Sequence, residues 1–136
     1  MALNGYKEVE HTADIALQVW ARDFPSLLKQ AAEGLYALMD AVLETAQSKT
    51  HQNFTIPHGN HETVVVDFLT ELLFFVEEKG LALSDFSFEN GQNEISVQST
   101  GRRILTWERD IKAVTFHDLN LERTATGFSI TITFDV

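Results

Sequence analysis

Apolar and polar positions alternate most cleanly near the C-terminal end of the chain. In GFSITITFDV, Phe128, Ile130, Ile132 and Phe134 fall on one face and Ser129, Thr131, Thr133 and Asp135 on the other. This is the period-two pattern of a half-buried strand. The same period runs from Asp14 to Trp20, where Ile15, Leu17 and Val19 share a face. The period then lengthens. Asp23 and Pro25 open a helix that carries Leu28, Ala31, Leu35, Leu38, Met39 and Val42 at helical spacing. Gly34 inside that helix costs about 1 kcal/mol relative to Ala, which predicts a close neighbour at that spot. A second helix has Asn60 as N-cap, Glu62 in its first turn, and a stripe of Val65, Phe68, Leu69, Leu72, Leu73 and Val76. Lys79 and Gly80 end it.

Shorter strands are predicted from Tyr6 to Glu10 and around Phe54 and Ile56, where Pro57 stops the run. Asn90-Gly91 lies between a Phe86/Phe88 segment and an Ile95/Val97 segment. It predicts a hairpin, because that dipeptide tolerates positive φ. The segment Ile111 to Leu121 reads as one further strand. Two amphipathic helices and about seven strands predict an α+β, two-layer fold over residues 1–136 as a single domain, with a mixed sheet covered by the helices.

Composition supports a core and removes several chemistries. The 136 residues are 44% hydrophobic and include ten Phe, and a domain of this length buries roughly two thirds of its unfolded surface. There is no Cys, so disulfides, thiolate nucleophiles and Cys-ligated zinc are excluded. No apolar run approaches the ~20 residues of a membrane-spanning helix and no signal-like segment opens the chain. The expectation is a cytoplasmic protein without a membrane partner. Ten basic residues against twenty acidic ones give a net charge of −10. Nucleic-acid affinity comes largely from Lys and Arg neutralising phosphates, so no direct nucleic-acid binding is expected, and a cation or a basic protein surface is the more natural partner.

Familiar catalytic signatures are absent: no G-x-S-x-G, no P-loop, no G-x-G-x-x-G and no H-E-x-x-H. His58 and His61 flank a turn and lack a third ligand, so they read as loop residues. Three segments hold candidate chemistry. In His11-Thr-Ala-Asp14 a carboxylate stands at the entrance to an apolar strand, where a turn Asp bonding its own backbone is the plain alternative. At Phe134-Asp135-Val136 the Asp135 side chain and the terminal carboxylate are neighbours on an ordered strand. Two anions held close call for a compensating cation, and hard cations take oxygen ligands of this kind; a solvated terminus is the alternative. In Asp110 to Asp118, Lys112 shares a face with Val114 and Phe116, and His117 lies on the other face. A Lys there ordinarily snorkels outward, and a functional Lys112 or His117 beside the carboxylates is the sharper reading.

Taken together these segments resemble the archease family. The likeness rests on His11-Thr-Ala-Asp14, on Asp67-Phe-Leu-Thr-Glu-Leu-Leu73, on Ile111-Lys-Ala-Val-Thr-Phe-His117 and on a chain ending Phe134-Asp135-Val136. It spans nearly the whole chain, in order. The resemblance implies a non-enzymatic activator of a GTP-dependent, RtcB-type RNA ligase, promoting its guanylylation and multiple turnover in tRNA splicing and RNA repair. It also implies a bound divalent cation, most often calcium, with magnesium or manganese as alternatives. Its ligands would be Asp14, Asp135 and the main chain of Val136, with His11, Lys112 and His117 as functional neighbours. Two other functions are compatible with the residues: a chaperone-like modulator of a tRNA-modifying enzyme such as a methyltransferase, and a metal-dependent phosphoesterase using Asp14 and Asp135. The chain departs from the family pattern at Glu10, where Asp is common, at Phe116, where Tyr is common, and between Gly101 and Arg109, which lacks the usual His.

Overall fold

The computed structural model describes residues 3–9, 14–45 and 49–136. Their elements are β1 (Gly5–Val9), β2 (Ile15–Ala21), α1 (Phe24–Leu38), β3 (Val42–Leu43), β4 (Thr50–Pro57), α2 (His61–Lys79), β5 (Leu81–Asn90), β6 (Glu94–Thr106), β7 (Ala113–Thr115), β8 (Leu121–Thr124) and β9 (Gly127–Asp135). The α+β expectation holds, and the strands differ from it in arrangement. They form two sheets, one of five strands ordered β1-β2-β9-β7 with β8 also on β9, and one of four strands built on β6, which pairs with β3, β4 and β5. Every pairing among the described residues is antiparallel, where the sequence predicted one mixed sheet of about seven strands. Local periodicity marks a strand but carries no information about which distant strand completes its ladder.

Both helices begin, and α2 also ends, as their sequences require. Asp23 caps α1 by accepting the Ser26 N–H at 2.8 Å; hydrogen bonding with the Ser26 side chain, and then that N–H, hold its carboxyl below the usual range. Asn60 caps α2 by accepting the Thr63 N–H at 2.8 Å, and Gly80 ends it in the left-handed conformation. Helix α1 packs on β1, β2, β5 and β9, and α2 on β4, β5 and β7, so each helix touches strands of both sheets. This explains why α2 buries Val64, Val66 and Phe75 in addition to its predicted stripe: a helix with a sheet strand on more than one side keeps a narrower solvated face, here at Thr70, Phe74, Glu77 and Glu78. Phe68, Leu69, Leu72, Ile130, Ile132 and Phe134 are sealed from solvent in one continuous core. The close neighbour predicted at Gly34 is Leu17, whose Cδ2 would lie 2.5 Å from a Cβ placed there.

Three local details depart from the sequence reading. The β5–β6 hairpin forms, but neither Asn90 nor Gly91 has positive φ; the tight turn is Gln92-Asn93, closed by the Gly91 N–H donating to the Glu94 carbonyl at 2.8 Å. Val42, predicted on the first helix, lies in β3 after the helix ends at Leu38. The single strand predicted from Ile111 to Leu121 holds only the three residues of β7 and, at Leu121, the start of β8, both along the same neighbour β9. Residues 116–120 leave the ladder in a turn in which Asp118 takes φ 52° and the Leu119 N–H bonds the Phe116 carbonyl at 3.2 Å. Asp tolerates that left-handed backbone better than most residues.

Candidate metal and partner site

The β2–β9 ladder determines what stands at the end of the five-stranded sheet. Ile15 pairs with Phe134, so Asp14 precedes and Asp135 follows that rung on adjacent strands. Asp14 is half-buried and Asp135 exposed. On the other side of β9, Ala113 pairs with Asp135, and the Lys112 N–H donates to the Asp135 carbonyl at 2.8 Å. Val136 comes next and is 47% exposed. Next to this edge, Phe134 and Ile111 are buried in the core. Four residues singled out in the sequence, Asp14, Lys112, Asp135 and Val136, therefore share one end of one sheet.

His117 does not join them. His11 lies outside the described residues. His117 sits in the turn after β7, exposed, with its Nε2 3.1 Å from Asp118 Oδ2. The β7 register runs from Ala113↔Asp135 to Thr115↔Thr133, away from Asp135, and His117 lies beyond its far end. Among the described residues no three His, Cys, Asp or Glu side chains converge as a metal cluster. The donors at the sheet end are two carboxylates plus main-chain oxygen, a set that suits calcium or magnesium and offers nothing to a soft metal.

Two features escaped the sequence reading. On α2, Asp67 and Glu71 are one turn apart and both half-buried. Burial, and then the Asp67 charge, raise the Glu71 carboxyl above its ordinary value. The i, i+4 acidic pair was visible in the sequence, but its partial burial was not. Tyr36 is the other: its hydroxyl accepts the Leu83 N–H of β5 at 2.8 Å, and burial pushes its pKa far up. His58 and His61 behave as loop and packing residues. His58 Nε2 lies 2.8 Å from the Gly91 carbonyl, and the His61 ring stacks on Phe24 at 4.2 Å. Open clefts lie elsewhere, one of about 610 Å³ among Tyr6, Lys29, Tyr36 and Phe86 and one of about 410 Å³ around Phe24, His58, His61 and Phe88. Asp14, Lys112, Asp135 and Val136 line neither of these two clefts.

Two helices, two antiparallel sheets and an acidic strand end define a small α+β class of protein. The family itself is given by comparison: the Archease protein family (MTH1598/TM1083) matches residues 6–136, and the chain belongs to it. Curated archeases from Methanosarcina barkeri and Methanopyrus kandleri are similar to it. The first is 28% identical, over 96% of this chain and 95% of its own; the second is 30% identical, over 87% and 89%. The crystal structure of an archease from Thermotoga maritima, described as a possible chaperone, superposes with a TM-score of 0.70 at 29% identity, covering 96% of both chains. The solution structure of Methanobacterium thermoautotrophicum protein 1598 gives 0.73 at 16% identity, a likeness of fold. No helix among the described residues is long and apolar enough to cross a membrane.

Proposed function

We propose that the protein is a non-enzymatic, cation-carrying activator of a GTP-dependent RNA ligase. The observation that carries this reading is the convergence of Asp14, Asp135 and Val136 at one sheet end, set by the Ile15–Phe134 pairing. Asp14 and Asp135 supply carboxylate oxygens and Val136 a main-chain oxygen to a divalent cation, most often calcium. Bound there, the cation contributes positive charge beside nucleotide phosphates. The Lys112 N–H holds the Asp135 carbonyl just before β7, and Asp135 and Val136 are exposed. A net charge of −10 favours encounter with a basic, phosphate-binding active site and disfavours RNA as a direct ligand. The ligase, in this reading, holds the RNA.

The test is guanylylation and multiple turnover of the cognate ligase with and without the protein. Acceleration by the wild type, and none by Asp14→Asn or Asp135→Ala, is the expected result. Equal acceleration by all three proteins would overturn the role of the carboxylates. A chaperone-like action on a tRNA-modifying enzyme is the second reading, favoured by the description of the Thermotoga structure as a possible chaperone. It predicts a change in that enzyme's assembly and no change in ligase guanylylation. A phosphoesterase would turn over substrate in the protein's presence alone.

A further inference from the structure

The sheet edges of this fold are not protected equally. An unpaired edge is a template for another strand, and proteins blunt it with short length, charge, bulges or covering groups. Strand β1 places Lys7 and Glu8 on its edge, and β8 has only four residues, including Glu122 and Arg123. Strands β3 and β7 have two and three residues. Strand β5 carries Asp85 and Glu89, a register shift between Ser84 and Ser87, left-handed backbone at Asp85, and the Tyr36 hydroxyl over the Leu83 N–H.

Strand β4 has almost none of this. Its eight residues, THQNFTIP, contain no Asp, Glu, Lys or Arg. They pair with β6 in unbroken register from Thr50↔Gly101 to Pro57↔Glu94, and among the described residues β6 is their sole strand partner. The His58 N–H reaches the Asn93 carbonyl and the Gln52 carbonyl accepts from Ser99 Oγ at 3.0 Å, so even-numbered residues turn their main chain toward β6. By alternation, the main-chain N–H groups of His51, Asn53 and Thr55 point outward, and all three residues are exposed.

We propose that β4 is a self-association edge, pairing antiparallel with β4 of a second copy about a twofold axis at Asn53. That register sets Asn53 against Asn53 and His51 against Thr55, so each outward amide meets an outward carbonyl. Shifting it by one rung would oppose His51 to Pro57, which has no N–H, and waste a carbonyl. The twofold register also sets Lys49 of one copy against Pro57 of the other, in the row occupied by Glu94 on the next strand. Opposite charges thus stand in one row at both ends of the contact, about 10 Å apart between backbones, within reach of a Lys side chain that leaves its exposed 3.7 Å pairing with Asp85. Two copies of charge −10 repel elsewhere, and an uncharged edge is where they can approach. The self-complementary register and the Lys49–Glu94 rows at its two ends make the occupant a second copy of this chain. The contact lies on the four-stranded sheet and leaves the Asp14–Asp135 edge of the five-stranded sheet free.

A contact of two strands is smaller than a standard protein interface, so association is expected only on the order of 100 µM, strengthening with salt as long-range repulsion is screened. Sedimentation equilibrium of the full chain up to about 1 mM reads this directly, the concentration range following from that affinity. Wild type is expected to form dimers. Asn53→Lys, which adds like charge at the axis, and Thr55→Pro, which deletes an outward donor, are expected to remain monomeric with wild-type melting curves. Because the chain has no Cys, Asn53→Cys supplies a single thiol. Directly opposed residues sit ~5.5 Å apart between Cα atoms, within disulfide range, so oxidation should trap a covalent dimer, whereas Glu89→Cys on β5 should not. A wild type that stays monomeric throughout, leaving the edge to a foreign strand, would overturn self-pairing. So would a dimer that persists in both Asn53→Lys and Thr55→Pro.

Discussion

Asp14 and Asp135 flank a single rung of the β2–β9 ladder, the pairing of Ile15 with Phe134. They are 121 positions apart in the chain, and only the antiparallel register makes them neighbours. If they share a cation, its binding to the native state stabilises the fold by mass action, by about 2.7 kcal/mol at a hundred times the dissociation constant. Calcium is expected to raise the melting temperature of the wild type, and Asp14→Asn is expected to remove the rise. An equal rise in both proteins would show that calcium acts elsewhere.

The two neighbours Phe134 and Asp135 should behave oppositely without metal. Phe134 is fully buried and Asp135 exposed. Phe134→Ala is expected to cost about 3–5 kcal/mol through the cavity it leaves. Asp135→Ala is expected to change metal-free stability by no more than about 0.5 kcal/mol, as for other surface positions. Chemical denaturation in chelator measures both.

Gly127 starts the strand that ends in the candidate site. It has φ 148°, and a Cβ placed on it would lie 2.1 Å from the Ala21 carbonyl oxygen and 2.6 Å from the Arg22 Cα. Backbone rather than a movable side chain blocks that space. Gly127→Ala should therefore destabilise by about 2–3 kcal/mol, read as a lower denaturant midpoint with unchanged slope.

Glu71 gives a pH signature. Its carboxyl is raised by burial and by Asp67, so the native state holds the proton more tightly than the unfolded chain. The associated stability is complete below the ordinary glutamate range, near pH 4.5, and is lost as pH rises through the elevated native value. Glu71→Gln fixes the neutral form. It should melt slightly higher than wild type at pH 7, with the advantage vanishing near pH 4. A constant difference across that interval would assign the effect to packing.

Much of the local structure was legible in the sequence because its causes are local. Asn60 and Gly80 bound α2 through hydrogen bonds and backbone conformation within a few residues, and Gly34 announced its close packing by occurring where Ala would be better. The alternation in β9 matched its burial at Ile130, Ile132 and Phe134 but missed Thr133, which is also buried. The sequence therefore determined by itself the two helices and their caps, most strand positions, the absence of cysteine chemistry, and the acidic residues available for a cation. The tertiary structure alone decided that the strands form two antiparallel sheets, that residues 116–120 leave the ladder and carry His117 away from the carboxylates, and that Asp14 stands beside Asp135. Each of these depends on register between distant segments, which is set by how complete strands bury their faces together and not by any residue's immediate neighbours.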